Sequence, residues 1–230
     1  YESEGFDRGS LKLPEGHLRL INAVTEENAN TIVILMSGGV VECPWAGKVK
    51  GILYAGLSGQ AGAQAIANIL YGKVNPSGKL AESWPINYED CATAAFYGKE
   101  KDVIYREGIY VGYKWFETAD HEGVYNNVDN TSLYGEDAKG YDGIVQYPFG
   151  YGLSYTTFDW KIVKTEPEIN SSINENSKFK IDVEVTNIGD KAGKDVVEAY
   201  VTLPYTKGGI EKSEINLLDF AKTPMLNKGE

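Results

Sequence analysis

Two hydrophobic rhythms divide the chain. Between Glu15 and Glu27, Leu18, Ile21, Ala23 and Val24 recur at helical spacing and predict an amphipathic helix. "TIVILMSGG" follows, a continuous run of β-branched residues halted at Gly38-Gly39, which predicts a strand buried on both faces, as in a parallel sheet. "VKGILYAGLSG" repeats that pattern. "QAGAQAIANILYG" then predicts a helix with Ala65, Ile66, Ile69 and Leu70 inward and Gly72 as its stop. "NPSGKLAESWP" reads as a turn and a strand closed by Pro85. This alternation predicts an α/β layered sandwich with a mainly parallel sheet.

From about Asn87 to Tyr155 the periodicity fades into Gly, Tyr, Asn and Asp, and residues 120–146 read as an irregular insertion. After Phe158 the period shortens to two. "DWKIVKTEPEI", "KFKIDVEVTNIG" and "KDVVEAYVTLP" predict antiparallel strands, with Phe179, Ile181, Val183 and Val185 on one face. The chain is therefore expected to hold an α/β domain over 1–157 and an antiparallel β-sandwich over 158–230. About 70 residues fall short of the ~100 of a seven-stranded sandwich, so this second part is expected to be incomplete.

Charge and reactive residues narrow the chemistry. A formal net charge of −11 without clustered Lys or Arg argues against nucleic acid and anionic membrane as partners. No apolar run approaches the length of a membrane-spanning helix. Cys43 and Cys91 stand outside any CxxC or metal-ligand spacing; they fit two buried thiols or one disulfide, and the former better. His17 and His121 have no metal or triad pattern. The strand–helix junction "MSGGVVECPW" lacks the dinucleotide and P-loop glycine spacings, and no G-x-S-x-G elbow is present. Sixteen Tyr and four Trp suit core packing first and sugar-binding surfaces second. A chain opening "YESEG" and closing "LNKGE" reads as a segment of something longer. The sequons at Asn130 and Asn170 assign no compartment, which stays open between cytoplasm and secretion.

Five phrases, "ESEGFDRGSLKLP", "VILMSGGVVECPW", "GLSGQAGAQAIANILYGKVNPSGKLAESWP", "REGIYVGYKWFET" and "YPFGYGLSYTTF", occur in an order that resembles family 3 glycoside hydrolases, the β-glucosidase group. The tail "VTNIGDKAGKDVVEAYV" resembles the fibronectin type III-like module that accompanies them. The resemblance implies a retaining, exo-acting β-glycosidase that needs no metal or organic cofactor. In such enzymes a barrel domain carries an Asp nucleophile, and a second α/β domain lends the general acid/base from a cleft-edge loop. This chain resembles that second domain. The barrel would be supplied in cis, on either side of the segment, or by another chain. The substrate would be a β-linked glucoside or short oligosaccharide, with β-xylosidase or N-acetylglucosaminidase specificity as alternatives.

By that resemblance Glu4, directly before Gly5, is the general acid/base candidate, with Glu2 second and a solvated charged turn as the remaining possibility. Asp7 and Arg8 are expected to anchor the loop by an ion pair. Glu107 and Trp45 are weaker sugar-contact candidates; a loop-holding role for the first and core packing for the second compete with it. Tyr125, Tyr134 and Tyr141 could border an aglycone subsite or merely belong to a loop. From a different class, the chain could be a non-catalytic carbohydrate-binding or scaffold fragment. In either case the isolated chain is expected to be inactive.

Overall fold

The computed structural model describes residues 4–6, 8–99 and 101–230. It forms a small α/β arrangement with few helices and short two-stranded sheets, gathered into two compact units. The first unit comprises Tyr1–Ile66, Leu80–Tyr151 and Tyr200–Leu218; the second comprises Ala67–Lys79, Gly152–Ala199 and Asp219–Glu230.

In the first unit, helix α1 (Glu15–Glu27) begins directly after Pro14 and ends at the extended Asn28. Proline suits that entrance because it has no N–H to leave unpaired. Leu18 and Ile21 pack against a core built on Val41, Cys43, Trp45 and Trp84. Strand β1 (Ile32–Leu35) pairs in parallel with β2 (Gly51–Tyr54), Ile32 opposite Gly51 and Leu35 opposite Tyr54. The Met36–Lys50 connection supplies the crossover that a parallel pair needs. By contrast, β3 (Trp84–Pro85) pairs antiparallel with β4 (Val145–Tyr147).

Burial corrects the expectation for β1. Leu35 is 5% exposed, yet Ile32 is 52% exposed and Met36, just past the strand, 64%. One face of the strand packs on the core; the other is apolar and open.

The stretch expected to be irregular is partly ordered. It contains helices α3 (Tyr113–His121) and α4 (Thr131–Tyr134) as well as β4. Phe116, Ala119, Tyr125, Ile144 and Val145 form a second small core there. Aromatic and β-branched residues are weak helix formers, so α3 owes its helix to packing rather than to propensity.

The second unit pairs β5 (Phe158–Glu166) antiparallel with β6 (Lys180–Asn187), and β7 (Val196–Val201) pairs with β8 (Asn216–Lys222). An open groove of about 320 Å³ lies within the unit, lined by Ile181, Val183, Val185, Val197 and Ala221 among others.

Long-range hydrogen bonds explain why "NPSGKL" and "GYGLSYTTF" look specific. The Asn75 amide donates to Ala192 O (3.0 Å) and accepts from Ser154 Oγ (3.0 Å) and Tyr155 N (2.8 Å). Lys79 Nζ donates to Gly152 O at 2.8 Å and pairs with Asp195 at 3.2 Å. The Asp195 carboxylate also accepts from Trp160 Nε1 and Val196 N, each at 3.0 Å. Asn187, 0% exposed, uses its whole amide: Nδ2 donates to Lys191 O and Leu226 O, while Oδ1 accepts from Thr156 Oγ1 and Gly189 N. A Cβ on Gly152 would fall 2.1 Å from Gly78 O, and one on Gly193 2.7 Å from Asn75 Nδ2. These loops touch only because glycine stands at both places.

Cys43 and Cys91 are free thiols, the first buried and the second partly so. Burial, then the Glu42 carboxylate, pushes Cys43 up to about 12. Burial, then Asp90, Glu42 and Glu89, pushes Cys91 up to about 11.

Asp195→Ala is expected to cost about 2–4 kcal/mol, because Lys79 would keep a half-buried charge without its carboxylate. Urea unfolding followed by tryptophan fluorescence measures the loss; a change under about 0.5 kcal/mol would reduce the pair to surface decoration. Gly152→Ala should be at least as damaging in the same assay. The thiols give a second expectation: at pH 8 both are neutral, so a disulfide reagent should label the native chain far more slowly than the denatured one. Fast native labelling of Cys43 would contradict its burial.

Candidate active-site loop

The candidate site begins at a turn. Glu4 is exposed and Gly5 has φ 82°, a left-handed conformation open to glycine at little cost. Phe6 follows, 80% exposed. Arg8 then leaves the turn and ties it down: Nη2 donates to Val40 O at 2.9 Å. Leu11 O accepts from Glu42 N at 2.9 Å, and Leu11 and Leu13 pack on the core.

The platform under this loop is the segment just beyond the carboxyl end of β1. Ser37 Oγ donates to Gly39 O at 2.8 Å, and Tyr54 OH donates to Ser37 O at 3.2 Å. Val40 and Val41, 8% and 2% exposed, are then drawn into the core. The carboxyl edge of parallel strands is where open α/β sheets habitually present loops to ligands.

Other acids take up different roles. Glu42 is 5% exposed and accepts from Tyr88 N at 3.0 Å, a fixed structural carboxylate. The Glu82 carboxyl is raised by burial, with the Arg8 guanidinium pulling it back down. Asp90 is raised by burial and opposed by hydrogen bonds from Asn87. Burial also raises Glu117, against the hydrogen bond that Tyr141 OH donates to it at 2.6 Å. Sequence reasoning singled out none of Glu42, Glu82, Asp90 or Glu117, since isolated acids carry no local signal of burial. Among the described residues, no group of three or more His, Cys, Asp or Glu side chains is placed to hold a metal ion.

The sequence candidates separate. Glu4 is on the surface; Glu2 and Asp7 lie outside the described residues. Trp45 is 3% exposed and packs inside the first core. Glu107 sits in a turn whose closing bond is Tyr110 N to Glu107 O at 2.9 Å, formed by its backbone and not its carboxylate. Tyr125 is 5% exposed, Tyr134 OH donates to Asn87 Oδ1 at 3.3 Å, and Tyr141 is held by Glu117. All three tyrosines are built into their unit.

Comparison with known proteins places these features in a family. Residues 1–113 match the glycosyl hydrolase family 3 C-terminal domain. The chain is 38% identical over 231 residues to thermostable beta-glucosidase B of Acetivibrio thermocellus, covering 100% of this chain and 27% of that protein. Its fold matches the crystal structure of the Bifidobacterium adolescentis GH3 beta-glucosidase with a TM-score of 0.80 and 36% identity, over 99% of this chain and 30% of that one. It also matches beta-glucosidase 3B of Thermotoga neapolitana, solved in complex with glucose, with a TM-score of 0.75 and 33% identity, over 97% of this chain and 28% of that one. The chain thus spans less than a third of the length of each of these relatives. On the matched domain, the sustained identity and the shared fold, residues 1–113 are a glycoside hydrolase family 3 C-terminal domain.

Proposed function

We propose that this chain is the part of a retaining, exo-acting β-glucosidase that supplies the general acid/base, Glu4, to a barrel domain bearing an Asp nucleophile. The observation that carries this is the placement of Glu4 within the family-matched residues, solvent-exposed and followed by a glycine in left-handed conformation. In a retaining mechanism the acid protonates the glycosidic oxygen as the nucleophile attacks the anomeric carbon. The resulting carboxylate then takes a proton from the water that releases the sugar. An exposed acid can do this only when a second surface brings the nucleophile to roughly 5–5.5 Å.

The exposure of Phe6, Val103 and Tyr105, at 80%, 80% and 84%, supports a further domain lying against the first unit. The substrate follows the relatives' names: a β-linked glucoside or short oligosaccharide. Residues 1–157 form the α/β sandwich domain of such an enzyme in this proposal. Residues 158–230 form a fibronectin type III-like module in the same proposal, supported by the antiparallel pairing of β5 with β6.

Two measurements test the proposal. In the full-length gene product, Glu4→Ala should lower kcat/KM on a β-glucoside with a poor leaving group by about 10²–10⁴-fold. A dinitrophenyl β-glucoside should still form the intermediate, and azide should restore turnover as the β-glucosyl azide. Equal behaviour of wild type and variant on both substrates would return Glu4 to a solvated turn and make Glu2 the candidate. The isolated 230-residue chain should hydrolyse no aryl β-glucoside measurably. Robust turnover by it alone would refute the division between two domains, whereas a full-length protein inert towards every β-glycoside would favour a binding or scaffold role.

A further inference from the structure

We propose that Arg8 is the positioning residue of the acid/base loop, clamping it to the carbonyl of Val40 beyond the carboxyl end of β1 and so fixing where Glu4 presents its proton. The inference rests on the assignment of Glu4 above.

The described residues at the tip of the loop are open to solvent. Glu4 and Gly5 form an exposed turn, and Phe6 is largely solvated. Gly5 in particular leaves the backbone wide conformational freedom. The Arg8 Nη2 to Val40 O bond, 2.9 Å long, joins residues 32 positions apart and crosses from this turn to the core.

The acceptor is itself immobilised. Gly39 O is held by Ser37 Oγ, Ser37 O is held by Tyr54 OH, and Val40 is 8% exposed. The guanidinium also lies close over Gly39, where a Cβ would come within 3.5 Å of Nη2. Its charge reaches a third segment, since Arg8 lowers the proton affinity of Glu82. A planar, permanently charged fork suits this multi-point placement, and the long stem carries it from the loop to the platform.

Catalysis by a proton donor depends on this kind of placement: a displacement of about 1 Å costs about 10²-fold. Misplacement should matter only where a proton is needed, which separates positioning from general damage.

The test uses the full-length gene product carrying Arg8→Met, which keeps the stem and removes every donor. Its kcat/KM on an alkyl β-glucoside should fall by about 10–100-fold, while that on a dinitrophenyl β-glucoside should change by no more than about threefold. Gly39→Val perturbs the clamp from the opposite side. No left-handed φ obstructs that substitution, so the same selective loss is expected, and this variant decides the matter where Arg8→Met does not fold. Uniform loss on both substrates, or no loss on either, overturns the inference. Glu4→Ala is measured alongside: selectivity in Glu4→Ala without selectivity in the clamp variants sinks the clamp alone. Absence of selectivity in Glu4→Ala removes the acid/base assignment and the clamp with it.

Discussion

The second unit hangs on one carboxylate. Asp195 gathers an ammonium and an indole N–H from separate stretches of chain, with the N–H of its own neighbour Val196, and its side chain is only 11% exposed. A charge in that position is costly unless each lone pair has a donor. Two neighbouring segments must therefore arrive in place: Lys79 from the stretch after α2 (Gly62–Leu70) and Trp160 from β5. Asn75 and Asn187 repeat the logic with neutral amides, each bridging to distant backbone. The glycines at 152, 189 and 193 are the steric counterpart, since a side chain at any of them would strike a neighbouring atom.

Arg8 does something comparable in the first unit, though for a loop and not a sheet. Its side chain references an exposed turn to the core through Val40. The acid that would do chemistry stays exposed, while the groups that hold its loop are partly or wholly buried. That separation suits a proton donor whose nucleophile belongs to another domain.

How much was legible in the sequence follows from where each signal is stored. Helix α1 and strands β1 and β2 were readable because the periodic apolar residues and the paired glycines are local signals. Helix α3 was not, because Phe116 and Ala119 find their partners in Ile144 and Val145 across a stretch that looks featureless. The apolar run of β1 announced burial on both faces, but Ile32 and Met36 remain open here, since apolar residues record a preference and not the presence of a covering layer. The reason for "NPSGKL" was invisible: Asn75 bonds to Ala192, far along the chain. Glu4 came from family resemblance alone, for an exposed acid before glycine has no distinguishing local chemistry. The expected ion pair of Arg8 with Asp7 falls on a residue outside the described ones, and the bond from Arg8 to the Val40 carbonyl had no signal in the sequence, because a backbone acceptor leaves no mark on residue identity.

The dispersed make-up of the second unit bears on how this protein can be recombined. A cut at residue 157 would look natural by sequence pattern, yet it would send Asn75 and Lys79 to one parent and Ala192 and Asp195 to the other. A chimera made there leaves the donors, Asn75 Nδ2 and Lys79 Nζ, on one side of the junction and their acceptors on the other. Grafting the second unit onto another protein requires carrying Ala67–Lys79 with it, so the transferable block is discontinuous in the gene although compact in space.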